Sequence, residues 1–186
     1  MNPLRHLALA PLLALFACGD DATTSPVTPF QSALANETVV NGLDATGRTA
    51  LCAEVTQWYA TQVSVAQTKR LTCYSLALAF TEGSSQACNQ FASECLASEE
   101  DGDIEVTADV TCDDQRLGDC TATVGELEAC FTDGATRLRQ VAGAISCSST
   151  ASTLSDLDTP ITSCETIKAK CPGLFDDEAD AEAEAF

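Results

Sequence analysis

The sequence predicts a mainly α-helical domain stapled by disulfides, a bundle of about four to five helices with an irregular cysteine-containing loop. Three observations predict it. Apolar residues recur at helical spacing in several segments. Eleven cysteines are scattered through 186 residues with no C-x-x-C pair among them. Aromatics are only 5% of the chain against 45% hydrophobic residues, so the interior is built mainly from Ala, Val and Leu. Small side chains bury little area each, and packing alone leaves a thin stability margin. Cross-links are the natural supplement.

Residues 1–17 have the form of an export signal. Arg5 charges the short leading region, and residues 7–17 are apolar around Pro11. That run is too short to span a hydrocarbon core of about 30 Å. Residues 18–43 read as a tether. Its first part holds Thr, Pro and Asp without apolar periodicity, and Pro26 and Pro29 oppose helix. A coil of that length reaches roughly 25–30 Å.

The helical domain is expected over residues 44–175. Leu51, Val55, Trp58, Tyr59 and Gln62 fall on one helical stripe after Asp44. Ser64 and Gln67 have capping-box spacing and open a second helix, with Leu71, Cys73, Tyr74, Ala77 and Leu78 on its buried face. Gly83, Ser84 and Ser85 break it. A third short helix covers residues 86–97, with Phe91 and Cys95 inward. Residues 99–103 form an acidic loop, and residues 104–107 alternate like a short strand. Thr123 and Glu126 open a fourth helix carrying Leu127, Phe131, Leu138, Val141 and Ile145. Residues 146–153 are a loop. Thr159 and Pro160 suit the N-cap and first turn of a last helix ending at Cys171 and Pro172. Residues 176–186 alternate acid and Ala and read as an acidic tail.

Ten cysteines follow Cys18: Cys52, Cys73, Cys88, Cys95, Cys112, Cys120, Cys130, Cys147, Cys164 and Cys171. Ten is even, so all can pair outside the reducing cytosol. Cys88 and Cys95 on one straight helix stand about 10.5 Å apart. A bridge needs Cα atoms within about 7 Å, so each should reach to a neighbouring element. The same argument applies less strictly to Cys164 and Cys171, beside Pro172. Cys112 and Cys120 flank a turn and are expected to pair. Antiparallel first and second helices would bring Cys52 to Cys73. Spacing leaves the rest of the connectivity open.

Leu15, Ala17 and Cys18 resemble the lipobox of bacterial lipoproteins, from which Phe16 departs. The resemblance covers about 20 residues. It implies cleavage ahead of Cys18, acylation of that cysteine and membrane attachment through an N-terminal lipid. Gly19 after the cysteine favours the outer membrane. The Cys18-Gly19-Asp20-Asp21 start and Ala-rich helices with scattered cysteines also resemble cysteine-rich lipoproteins of myxobacteria, a likeness that implies no activity.

Cleavage there removes His6, the only histidine, and Arg5. The remaining chain holds eight basic against 28 acidic residues. That surface repels nucleic-acid phosphate and anionic lipid headgroups, so neither is an expected partner. Without histidine, Ser-His-Asp and Cys-His catalysis have no base. None of Lys69, Lys168 and Lys170 follows a serine at S-x-x-K spacing. No phosphate-binding glycine loop or haem motif is present, so no cofactor is expected. The acidic loops invite calcium, but a frame starting at Asp101 puts Val106 and Cys112 where an EF-hand needs Gly and Glu. The expected role is a non-catalytic envelope lipoprotein that contacts a protein or a surface polymer. The alternatives are a calcium-binding or calcium-stabilised module and a small carboxylate-dependent hydrolase.

Overall fold

The computed structural model describes residues 25–81, 84–98, 112, 114–149 and 159–174. The signal segment with Cys18, the acidic loop 99–103, residues 104–107 and the tail 176–186 lie outside them. Among the described residues the chain is helical, without a β-strand. It forms α1 (Ala45–Gln62), α2 (Val65–Phe80), α3 (Ser85–Ala97), α4 (Val124–Ala144) and α5 (Thr162–Lys170). Three short 3-10 turns, Val40–Gly42, Arg116–Asp119 and Pro172–Leu174, join the elements at one end.

Local chemistry explains most helix starts. The first backbone N–H groups of a helix have no intrahelical acceptor and take a side-chain oxygen instead. Asp44 accepts from Gly47 N, and Ser84 accepts from Ala87 N. Ser64 with Gln67 and Thr123 with Glu126 form complete reciprocal capping boxes. The last helix differs from expectation. It begins at Thr162 with Ile161 extended at its N-cap and no side-chain cap, not at Thr159 and Pro160. Its first turn is set from α4: Ser163 Oγ donates to Asp133, and Cys164 is bridged to Cys130.

The main core joins α1, α4 and α5 around Leu51, Val55, Leu117, Leu127 and Ile167. A second, small cluster of Ala77, Cys88 and Ala92 lies between α2 and α3, flanked by Tyr74, Leu78 and Phe91. α2 docks this hairpin onto the last turns of α4. Arg70 donates from Nε to Ala142 O and from an Nη to Ile145 O, both 2.9 Å. A guanidinium there satisfies carbonyls that a helix end leaves unpaired.

All ten cysteines after Cys18 are bridged: Cys52–Cys112, Cys73–Cys95, Cys88–Cys147, Cys120–Cys171 and Cys130–Cys164. Cys88 and Cys95 do reach to different partners, as helical rise requires. Two expected pairs do not form. Cys112 meets Cys52 rather than Cys120 because Asp114 is pinned to α1: Arg48 Nε donates to its carbonyl and Thr49 Oγ1 to its carboxylate. Cys73 does not meet Cys52, because α2 packs on α3 and α4 instead of returning along α1.

The domain also begins earlier than residue 44. Part of the expected tether is an ordered strap over residues 25–43. Phe30 and Val40 are core residues, and Val39 forms an isolated antiparallel bridge with Thr123.

Lys170 Nζ pairs with Glu126, joining the end of α5 to the α4 capping box. Lys170, then the Thr123 backbone N–H, hold the Glu126 carboxyl below its ordinary range. A depressed carboxyl contributes stability above its unfolded pKa, and that contribution fades as pH falls through the folded value. Lys170→Met should therefore raise the Glu126 midpoint read by NMR titration. Thr123→Ala should cost about 1 kcal/mol in chemical denaturation. An unmoved midpoint or an unchanged denaturation curve would contradict this account of the α4 start.

Candidate functional site

The strap lies in the groove between α1 and α4, antiparallel to both. Toward α4, Phe30 N donates to Thr132 Oγ1, Ser32 N to Glu128, Gly125 N to Asn36 O and Val124 N to Thr38 O. Toward α1, Trp58 Nε1 donates to Thr28 O, Thr28 N to Gln62 Oε1 and Ser32 Oγ to Glu54. At its first residue, Arg139 donates to Ser25 O at 2.7 Å. Its end continues the ladder with Val40 N to Ala122 O and Asn41 N to Cys120 O.

The strap closes on an aromatic cluster. The Phe30 ring centre is 5.3 Å from Trp58 and 6.2 Å from Phe131, in tilted and edge-on arrangements that rings favour. Trp58 thus packs on the core stripe, as its position in the sequence implies. Gly125 suits the same closeness. A Cβ there would stand 3.0 Å from the Asn36 Cβ and 3.2 Å from its carbonyl.

Glu54 and Glu128 converge on Ser32. Glu128 is only 8% exposed and takes the Ser32 N–H. Glu54 takes the Ser32 hydroxyl and, at 3.3 Å, the Ala33 N–H. Buried carboxylates need such donors. Both are engaged in holding backbone, so the pair works as a clasp. Sequence reading did not single out Phe30, Ser32, Glu54, Glu128 or Gly125. The available signal was Phe30, the one aromatic residue between Cys18 and Asp44.

A shallow, open cleft of about 300 Å³ lies between α4 and α5, lined by Asp133, Thr136, Arg137, Gln140, Pro160, Ile161 and Thr162. Asp133 is the one carboxylate among those lining residues and already accepts from Ser163. Among the described residues no three metal-ligating side chains gather. None of the described helices is long and apolar enough to cross a membrane. Of the residues singled out in the sequence, the ten bridged cysteines are brought together in pairs, while Cys18 and the acidic loop 99–103 lie outside the described residues.

No protein family, curated protein or solved structure matches this chain.

Proposed function

We propose that the protein is a non-catalytic lipoprotein of the bacterial cell envelope. A lipid on Cys18 holds it to the membrane, the outer membrane by preference, and the bundle presents a surface to a protein or a surface polymer. The observation that carries this is the pairing of the other ten cysteines. Five bridges suit an oxidising compartment and leave Cys18, in its lipobox setting, as the one cysteine outside the staple set.

Mass spectrometry of the purified protein is expected to find an N-terminal acylated Cys18. Cys18→Ala is expected to release the protein from the membrane fraction with its melting curve unchanged. A protein that stays membrane-bound after Cys18→Ala rejects the lipid anchor.

Calorimetry separates this reading from a calcium-stabilised module. A ligand specific for the native state raises the melting midpoint by mass action. The midpoint is expected to be the same in chelator and in millimolar calcium. A rise of several degrees in calcium would move the assignment to a cation-binding module.

A further inference from the structure

The strap changes where the membrane must lie. If residues 18–43 were all tether, the bundle would hang clear of the lipid. The described strap begins at Ser25, so only residues 18–24 separate the anchor cysteine from the folded unit. Whatever their conformation, seven residues span at most about 25 Å, at 3.3–3.6 Å each. Helix α4 alone, at 21 residues, is about 30 Å long. A short leash therefore selects one end of the molecule.

Ser25 selects the end where α4 finishes, through its bond to Arg139. The strap then passes the last turns of α1 at Trp58 and Gln62. Two segments toward that end lack acidic residues altogether. Residues 55–81 and 134–149 contain no Asp or Glu, in a chain with 28 of them. These two stretches hold Lys69, Arg70, Arg137 and Arg139, four of the eight basic residues after Cys18. α3, packed on α2, brings Glu94, and Lys69 Nζ donates to the carbonyl of Ser98, the residue ahead of Glu99 and Glu100 in the sequence. The opposite end, around the starts of α1 and α4, carries Asp44, Asp114, Asp119 and Glu126 together with the other four basic residues, Arg48, Arg116, Lys168 and Lys170, of which Lys170 is paired with Glu126. The two most exposed large apolar side chains, Val65 at 60% and Phe80 at 70%, are both on α2, within the acid-free half.

We propose that this acid-free half, built from α2 and the C-terminal halves of α1 and α4, rests against the lipid headgroups of the membrane that holds Cys18. The chain as a whole repels an anionic lipid surface, whereas segments with basic side chains and no carboxylate do not. Exposed Val65 and Phe80 add apolar surface at the contact. The outward end is then the one built from the 3-10 turns and the start of α4, which leaves that end to meet other envelope components. The inference rests on the anchor reading above.

Trp58 is the only tryptophan and lies beside the start of the strap, so it reports the distance directly. The acylated protein is purified from membranes and reconstituted in vesicles of phosphatidylethanolamine and phosphatidylglycerol doped with dansyl-phosphatidylethanolamine. Energy transfer from Trp58 to dansyl is expected to be strong. Two far-end reporters provide the comparison, each in a Trp58→Phe background: Gly118→Trp, where an added side chain meets open space, and Lys168→Trp on an exposed position of α5. Both are expected to transfer severalfold less. Circular dichroism confirms folding of each variant, and the two independent reporters guard against failure of one. Mass spectrometry on the same sample separates the two ways of being wrong. Absence of the acyl group overturns the anchor and the contact together. An acylated protein whose far-end reporters transfer as well as Trp58, or better, overturns the contact alone.

Discussion

Reduction and alkylation of all five disulfides is expected to abolish cooperative folding. A cross-link closing a loop of n residues removes chain entropy from the unfolded state, and the 60-residue separation of Cys52 and Cys112 is worth about 4 kcal/mol on that account. The separation of 22 residues between Cys73 and Cys95 is worth about 3 kcal/mol. Domains of this size have only about 5–15 kcal/mol of net stability, so losing all five bridges exceeds what packing retains even though the terms do not add. Four of the ten cysteines, Cys73, Cys88, Cys120 and Cys171, are at most 2% exposed, so the reduction must be done in denaturant and the product returned to buffer. Far-ultraviolet circular dichroism should then show little helix and a broad, non-cooperative melt. A reduced and alkylated protein that refolds with a sharp transition would sink the staple argument.

The effect should be uneven. The α2–α3 hairpin has only Ala77, Cys88 and Ala92 as its buried cluster. It is tied internally by Cys73–Cys95 and to the end of α4 by Cys88–Cys147. Local stability follows local burial, so this hairpin opens first when its own bridges are lost.

Phe30→Ala is expected to cost about 3–5 kcal/mol, the range for truncating a buried aromatic ring. Phe30 is 4% exposed and joins the strap to Trp58 and Phe131. Its loss leaves the first half of the strap held mainly by side-chain hydrogen bonds, from Gln62, Thr132, Glu128 and Glu54. Such bonds contribute about 0.5–1.5 kcal/mol each. The variant should show a lower denaturation midpoint, a red-shifted Trp58 emission and faster proteolysis near residues 25–34. An unchanged midpoint with unchanged Trp58 emission would show that the strap is a passive covering.

Much of the helical frame was legible because its signals are local. Ser64 with Gln67 and Thr123 with Glu126 each determine a helix start within four residues of sequence. The stripe through Leu51, Val55 and Trp58 reads as one helix because 3.6-residue periodicity needs no knowledge of the partner. The strap was not legible for the converse reason. Phe30 is held by Thr132 and Trp58, from residues 102 and 28 positions away, and no local pattern announces such a contact. The last helix start failed similarly, since Cys130 and Asp133 on α4 set it more strongly than Thr159 and Pro160 do.

By itself the sequence determined the helical class, four of the five described helix starts to within a residue, and the rule that Cys88 and Cys95 take different partners. Only the tertiary structure decided which sulfurs join, where the folded unit begins and how closely Asn36 approaches Gly125. The division follows from range. Caps and helical stripes are settled by hydrogen bonds and side-chain periodicity within a turn or two, whereas a disulfide or a strap needs two distant segments within a few ångströms. That proximity is a property of how the helices pack, as Arg48 and Thr49 show by drawing Asp114, and with it Cys112, to α1.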